Sequence, residues 1–376
     1  MNFIRVKAIA RKEFVQIWRD PRSLTLGLAI PAILIVLFGY ALSLDIDNVP
    51  TVVWNQDGSK TSIDFLLNFK NSRYFSINAY YDNYRDIERA INFGDAMIGI
   101  IVPRDFSRYM LSNQEAPVQL ILDGSDSNTA TIALGYAKTV VYNYNFRVIS
   151  QALRKVNAPP LSIVDLRQRV WFNPDFESKN FIVPGLIAII MMIIGALLTS
   201  LTIAREWERG TMEQLISTPV RSSELIIGKF IPYFVIGIFD LFMAVVMGRF
   251  VFDVPLRGNL FLLFILSSFF LSGALGIGIY ISTAAKNQLM ASQMALLTTF
   301  LPTFLLSGFT YEIFNMPKWV QAITYFIPAR YFITILRGIY LKGVGIDDLW
   351  FETLCLIIFT WVATGAAIRK FKKKIG

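Results

Sequence analysis

The chain has 376 residues, 54% of them apolar and only 17% charged, with a mean hydropathy of +0.50 and a net charge of +9. An ordinary globular domain carries about 25% charge, so a soluble or disordered chain does not fit this balance. With no histidine and one cysteine, Cys355, Cys/His zinc sites, Cys-His nucleophile pairs, Ser-His-Asp triads and intrachain disulfides are all excluded.

Residues 2–20 carry Phe3, Val6, Ala10, Phe14 and Ile17 or Trp18 at helical spacing, with basic residues between them and Asp20-Pro21 as the stop. The pattern predicts an amphipathic helix within residues 1–22 that lies along a membrane surface; packing on another subunit is the alternative. A bilayer core of roughly 30 Å needs about 20 apolar residues in a helix. Uncharged runs meet this at residues 23–44, 181–204, 258–285 and 287–311. Residues 230–252, interrupted by Asp240 and Arg249, and residues 349–368, which contain Glu352, bring the expected spans to six. The first run is of full membrane length and lacks a small-residue cleavage site, so it reads as a span and not as a signal peptide.

Between the first two spans lies an insert, residues 45–178, with 13 basic and 15 acidic side chains. Short β-branched or aromatic runs (Val49 to Trp54, Tyr74 to Tyr80, Ala96 to Val102, Val118 to Leu122) alternate with helical stretches (Thr61 to Asn71, Tyr84 to Phe93, Asp105 to Asn113). This predicts a small α/β domain, followed by a long helix over Ala130 to Val156 that ends before Pro159-Pro160. Asp123, Asp126 and Asn128 suggest a calcium loop, but the twelfth position from Asp123 is Leu134 where an EF-hand needs Glu. A turn followed by a helix cap at Ser127, Asn128 or Thr129 is the better account.

Residues 205–229 form a charged loop between the second and third spans. Gly210 can break the helix that enters it, and Thr211 to Ser217 can form a short helix ended ahead of Pro219. Taken alone, such a loop is a solvated helix end with pairs such as Glu206 and Arg209. Asp240 falls about halfway along the third span, where a carboxylate costs roughly 2.5 to 3.5 kcal/mol on insertion scales. The expectation is packing, with the carboxyl satisfied by a neighbouring Ser, Thr or Tyr or carrying a proton; a substrate contact or proton-linked site is the alternative. In the fourth span Ser268, Ser272 and Gly276, and Ala274, Gly278 and Ser282, form small-residue rows for close packing within the subunit or between subunits. Residues 312–346 hold two stretches too short to cross, Pro317 to Phe326 and Pro328 to Leu341, whose Arg330 and Arg337 can reach lipid phosphates or an anionic substrate. The tail, residues 369–376, is basic.

Six basic residues in the first 22 and five in the last eight place both termini in the cytoplasm by the positive-inside rule, which leaves residues 45–178 outside. Gly228-Lys229 is the one Gly-Lys pair suited to a phosphate-binding loop, but Ser223 stands where the earlier glycine is needed and Phe230 replaces the hydroxyl residue. The expected fold class is an α-helical multi-pass membrane protein with six transmembrane helices and an α/β extracytoplasmic domain inserted between the first and second.

Four stretches together resemble one family. The loop reads E-x-E-R-G-T-x-E-Q-L-x-x-T-P from Glu206 through Glu208, Arg209, Gly210, Thr211, Glu213, Gln214 and Leu215 to Pro219. Near the start stand Arg11-Lys12-Glu13-Phe14 and Arg19-Asp20-Pro21-Arg22; near the end, Met316-Pro317, Gln321, Pro328, Tyr331 and Leu336-Arg337-Gly338; in the insert, Asp123 to Asn128. This set is similar to permease subunits of the ABC-2 exporters, which include bacterial multidrug and antibiotic-resistance efflux permeases. The resemblance implies a permease that is not itself a catalyst, in the bacterial inner membrane, paired with an identical or related permease, with room for a periplasmic adaptor and no nucleic-acid partner. It implies that Glu206 to Pro219 is a coupling helix docked on separate ATPase subunits, that ATP and Mg act there with no cofactor in this chain, and that a hydrophobic or amphipathic substrate moves outward. Residues 312–346 would be two short helices dipping into the outer leaflet. A membrane receptor with a ligand-binding insert is the rival reading.

Overall fold

The computed structural model describes residues 2–41, 48–112, 114–125, 127–155, 171–173, 177–285 and 287–371. The Pro159-Pro160 break, Asp126, and most of the basic tail lie outside them, as do the side chains of Ser127 and Asn128 proposed as caps. The chain divides into two compact units, residues 1–43 with 170–376, and residues 44–169.

The first unit opens with helix α1 (Phe3–Arg19), whose first turn is capped by the Asn2 side chain accepting from Ile4 N at 3.1 Å. Its apolar residues divide between two sides: Val6 and Ile17 are buried, whereas Phe3, Phe14 and Trp18 are exposed. A short helix α2 (Pro21–Leu24) leads through a π-helical turn into α3 (Ile30–Ala41).

The second unit alternates strand and helix: β1 (Val49–Asn55), α4 (Lys60–Lys70), β2 (Phe75–Tyr80), α5 (Tyr84–Asn92), β3 (Ile98–Val102), α6 (Phe106–Leu111), β4 (Gln119–Leu122) and α7 (Ser127–Lys155). The sheet order is β2-β1-β3-β4, with β1 parallel to both neighbours and β4 antiparallel to β3. Period-two alternation gives it two apolar faces. Val49, Val53, Ile98 and Ile100 pack with Phe65, Phe69 and Phe106, while Val52 and Ile101 pack with Ile87 and Ala90 of α5. The Asp123 carboxylate accepts from Ser125 N at 2.9 Å, the turn expected there.

Chain 177–371 is helical: α8 (Ser178–Glu208), α9 (Thr211–Ser217), α10 (Ser222–Phe250), α11 (Leu260–Ala285), α12 (Gln288–Ala295), α13 (Leu301–Leu306), α14 (Lys318–Thr324), α15 (Pro328–Arg337) and α16 (Trp350–Lys370). A π-helical turn joins α12 to α13 ahead of Pro302, which has no N–H to give. Five helical segments among the described residues are long and apolar enough to cross a membrane, 178–208, 222–250, 260–285, 288–306 and 350–370; Gly27–Tyr40 is a shorter apolar helix. Of the most apolar stretch of α8, 83% is buried, against 39% in α10 and 22% in α16, so α8 is the central rod and the others present apolar sides outward.

Helix α10 begins eight residues before the expected span and α8 runs four residues past it. Counting uncharged residues set those limits at Arg205 and Lys229, but both are buried and paired, as are Glu206 and Glu224 in the added turns, so the charges continue the helices. The small-residue rows of α11 are consumed inside the unit. A Cβ on Gly278 would lie 2.0 Å from Thr199 Oγ1 and 2.3 Å from the Ala196 carbonyl of α8, and Gly276 faces the α16 backbone at Ala363 and Thr364. Ser282 Oγ accepts from Ile203 N and Ala204 N at 2.9 and 3.0 Å.

Candidate functional site

The loop after α8 is a fixed bracket. Gly210, with φ +68°, takes the left-handed conformation that lets α8 stop and α9 start within two residues, and a Cβ there would meet no atom within 4 Å. Only backbone strain opposes a side chain at this position. Met212 is fully buried with Ile203, Leu225, Ile226, Ile279 and Phe371, which seats α9 on the ends of α8, α10 and α11. Arg209, Glu213, Gln214 and Pro219 are exposed; Leu215 is half-buried.

Behind the bracket lies a charged cluster almost closed to solvent. Lys229 Nζ of α10 is 2.9 Å from Glu13 Oε2 of α1 and 3.1 Å from Glu206 Oε1 of α8, and all three residues are at most 4% exposed. Lys12 Nζ donates to Glu206 Oε1 at 3.0 Å, the Tyr233 hydroxyl donates to Glu13 Oε1 at 3.1 Å, and the Thr211 hydroxyl donates to Glu206 Oε2. Two carboxylates and two ammonium groups therefore neutralise each other where unpaired charge would be costly. Two further clamps fix α1 at its ends. Glu224 accepts from Asn2 N at 2.6 Å and Arg221 N at 3.0 Å, and Arg205 pairs with Asp20 at 3.3 Å.

The residues expected to act together thus have distinct positions. Glu206 is buried and tied to Lys12 and Lys229, so it is an internal strut and not the exposed partner of Arg209. Glu208 is exposed, yet its carboxylate accepts from Gln288 N at 2.8 Å and from the Gln288 side chain, which holds the first turn of α12. Arg11 and Arg19 are exposed on α1. Sequence reasoning weighed Lys229 as loop charge and as a rejected phosphate-loop lysine, and missed Tyr233, Glu224 and Gln288. The available signal was a lysine inside an apolar helix pattern, which calls for a buried partner.

Two expectations need correction. Both carboxylate oxygens of Asp240 are buried with no hydrogen-bond partner among the described residues, so no Ser, Thr or Tyr satisfies it. Arg337 does not extend toward lipid phosphates: its guanidinium stacks 3.5 Å over the Phe181 ring and donates to the Gly308 carbonyl at 3.2 Å, because α15 packs on α8. Arg330 lies 3.9 Å over the Tyr325 ring and donates to Thr324 Oγ1.

Residues 21–369 match the family described as ABC-2 family transporter protein. The chain is 37% identical to the probable multidrug ABC transporter permease YbhS of Escherichia coli K12, over 97% of each chain. It is 30% identical to the probable multidrug ABC transporter permease YbhR of the same organism, over 99% of this chain and all of the relative. The linearmycin resistance permease protein LnrN of Bacillus subtilis is 22% identical over 98% of this chain. Matches of this extent, with five span-length apolar helices among the described residues, support a permease, and nothing favours the receptor reading. The chain belongs to the ABC-2 family as a multi-pass membrane permease subunit of an ABC transporter, with ATP hydrolysed by separate partner subunits.

Proposed function

We propose that this permease exports a hydrophobic or amphipathic molecule from the cytoplasm or inner leaflet of a bacterial inner membrane, as one of a pair of identical or related permeases. In this reading six spans cross the bilayer, the first over residues 23–44, with both termini cytoplasmic and residues 45–178 outside, where a periplasmic adaptor has access. Residues 312–346 lie in the outer leaflet. The names of the relatives, multidrug and linearmycin resistance permeases, support a drug-like cargo.

The observation that carries the coupling part is the bracket: Arg209, Glu213, Gln214 and Pro219 are exposed on a turn and short helix whose other side is fastened to α1, α8 and α10 by buried ion pairs. A partner ATPase that pushes on this face moves three helices together. The test is purification of the permease with the ATP-binding subunit that associates with it, and assay of ATP-dependent accumulation of a lipophilic dye and of linearmycin in inverted vesicles. Accumulation that disappears when Gly210 is replaced by Val, in a complex that still assembles, is expected. Absence of an associating ATPase, or equal transport with Gly210→Val, overturns the reading.

A further inference from the structure

Asp240 stands on the same face of α10 as Gly237, Tyr233 and Lys229, at intervals of three, four and four residues. It lines a cavity of about 10 Å³, room for a single water, with Tyr233 and Gly237 of its own helix, Ile190, Met191, Ile194, Gly195 and Leu198 of α8, and Leu271 of α11. From α8 and α11 it is faced only by apolar groups; Tyr233 is the one other titratable group in the lining. An ionised carboxylate enclosed in this way has nothing to offset its lost hydration, a cost that a protonated one avoids.

The cavity is also one end of a polar chain. Tyr233 donates to Glu13, Glu13 pairs with Lys229, Lys229 with Glu206, and Glu206 with Lys12, whose side chain is half exposed at the far end. No other buried acid among those described has two unpartnered oxygens, and the hydrogen-bonded chain starts at Tyr233, which shares its cavity. Glu206, one link before its end, also accepts from the Thr211 hydroxyl of the bracket.

We propose that Asp240 is a proton-binding site of the transport path, neutral while α8, α10 and α11 are packed as here and ionised when the path opens to water. On opening, the carboxyl O–H bond breaks and its proton passes to water or to the Tyr233–Glu13 chain; on closing, the carboxylate takes a proton back by the same route. A proton is the occupant because an organic ammonium group does not fit about 10 Å³. Proton binding in the closed packing stands apart from the export reading; the change on opening rests on it.

Infrared spectroscopy of the purified full chain tests the first part. A carboxylic-acid carbonyl band at neutral pH, absent in Asp240→Asn, is expected, and an identical band in that isosteric variant overturns the proposal. Transfer to heavy water tests the route: Tyr233→Phe, which removes the hydroxyl that donates to Glu13, is expected to keep the band but slow its isotope shift. Unchanged exchange rules the route out. In the complex with its ATPase, trapping with ATP and vanadate is expected to remove the band. Persistence of the band in a trapped complex refutes the link to opening, and failure to form any complex refutes the export reading while the first two measurements stand.

Discussion

Lys229 Nζ and the Glu13 carboxylate, 2.9 Å apart, join α10 to α1 in a place where both side chains are 3% exposed. Because Lys229 also holds Glu206, removing it leaves two buried carboxylates with one fewer cation. Lys229→Met is expected to destabilise the folded chain by about 3–5 kcal/mol, the usual cost of breaking a buried pair from one side. Adding Glu13→Gln removes one of the stranded charges and should restore a measurable part. Thermal denaturation of the detergent-solubilised single and double variants checks this; a double variant as unstable as the single one would refute the pairing.

Gly210→Val is expected to cost about 1–2 kcal/mol of backbone strain, since the position holds φ +68°. Gly210→Asn should cost less, because asparagine visits this region more readily. With open space around the site, the two variants separate conformation from crowding. The readout is substrate stimulation of ATP turnover in the assembled complex, lost with Val and largely kept with Asn.

Glu213 and Glu208 should behave differently although both are exposed acids of one motif. Glu213→Ala is expected to weaken docking of the ATPase by about 0.2–1 kcal/mol, as for a screened rim contact, with thermal stability unchanged. Glu208→Ala removes the acceptor for Gln288 N and its side chain and should lower the melting temperature, with docking little changed. Titration of the ATPase onto each variant, alongside melting curves, distinguishes the two.

For topology, a cysteine at Asn92 of the sheet unit and one at Ser217 of α9, each in a Cys355→Ser background, should label in opposite ways. An impermeant thiol reagent applied to spheroplasts is expected to reach Asn92→Cys and not Ser217→Cys. The reverse pattern would invert the proposed orientation.

The four strands were legible almost to the residue because short β-branched or aromatic runs mark strands covered on both faces, as in Val49, Val53, Ile98 and Ile100 on one side and Val52 and Ile101 on the other. The limits of α8 and α10 were not, because Glu206, Glu224 and Lys229 look like loop residues until their partners are known. Those partners lie far along the chain: Glu13 and Lys229 are separated by 216 residues, a distance at which no local pattern operates. The motif around Gly210 announced a turn and a short helix but not which acid faces inward. That division depends on where α1 lies.

Ser282 ties α11 to α8 through two successive amides, and Gly278 brings the two helices into backbone contact at Thr199 and Ala196. Sliding one helix past the other by a residue would forfeit both bonds in a medium that offers no replacement donors or acceptors. The pair is therefore stiff along its length. Compliance is left to segments outside that pair, such as the π-helical turns at Thr25–Ala29 and Leu296–Phe300, where the backbone ladder is already widened.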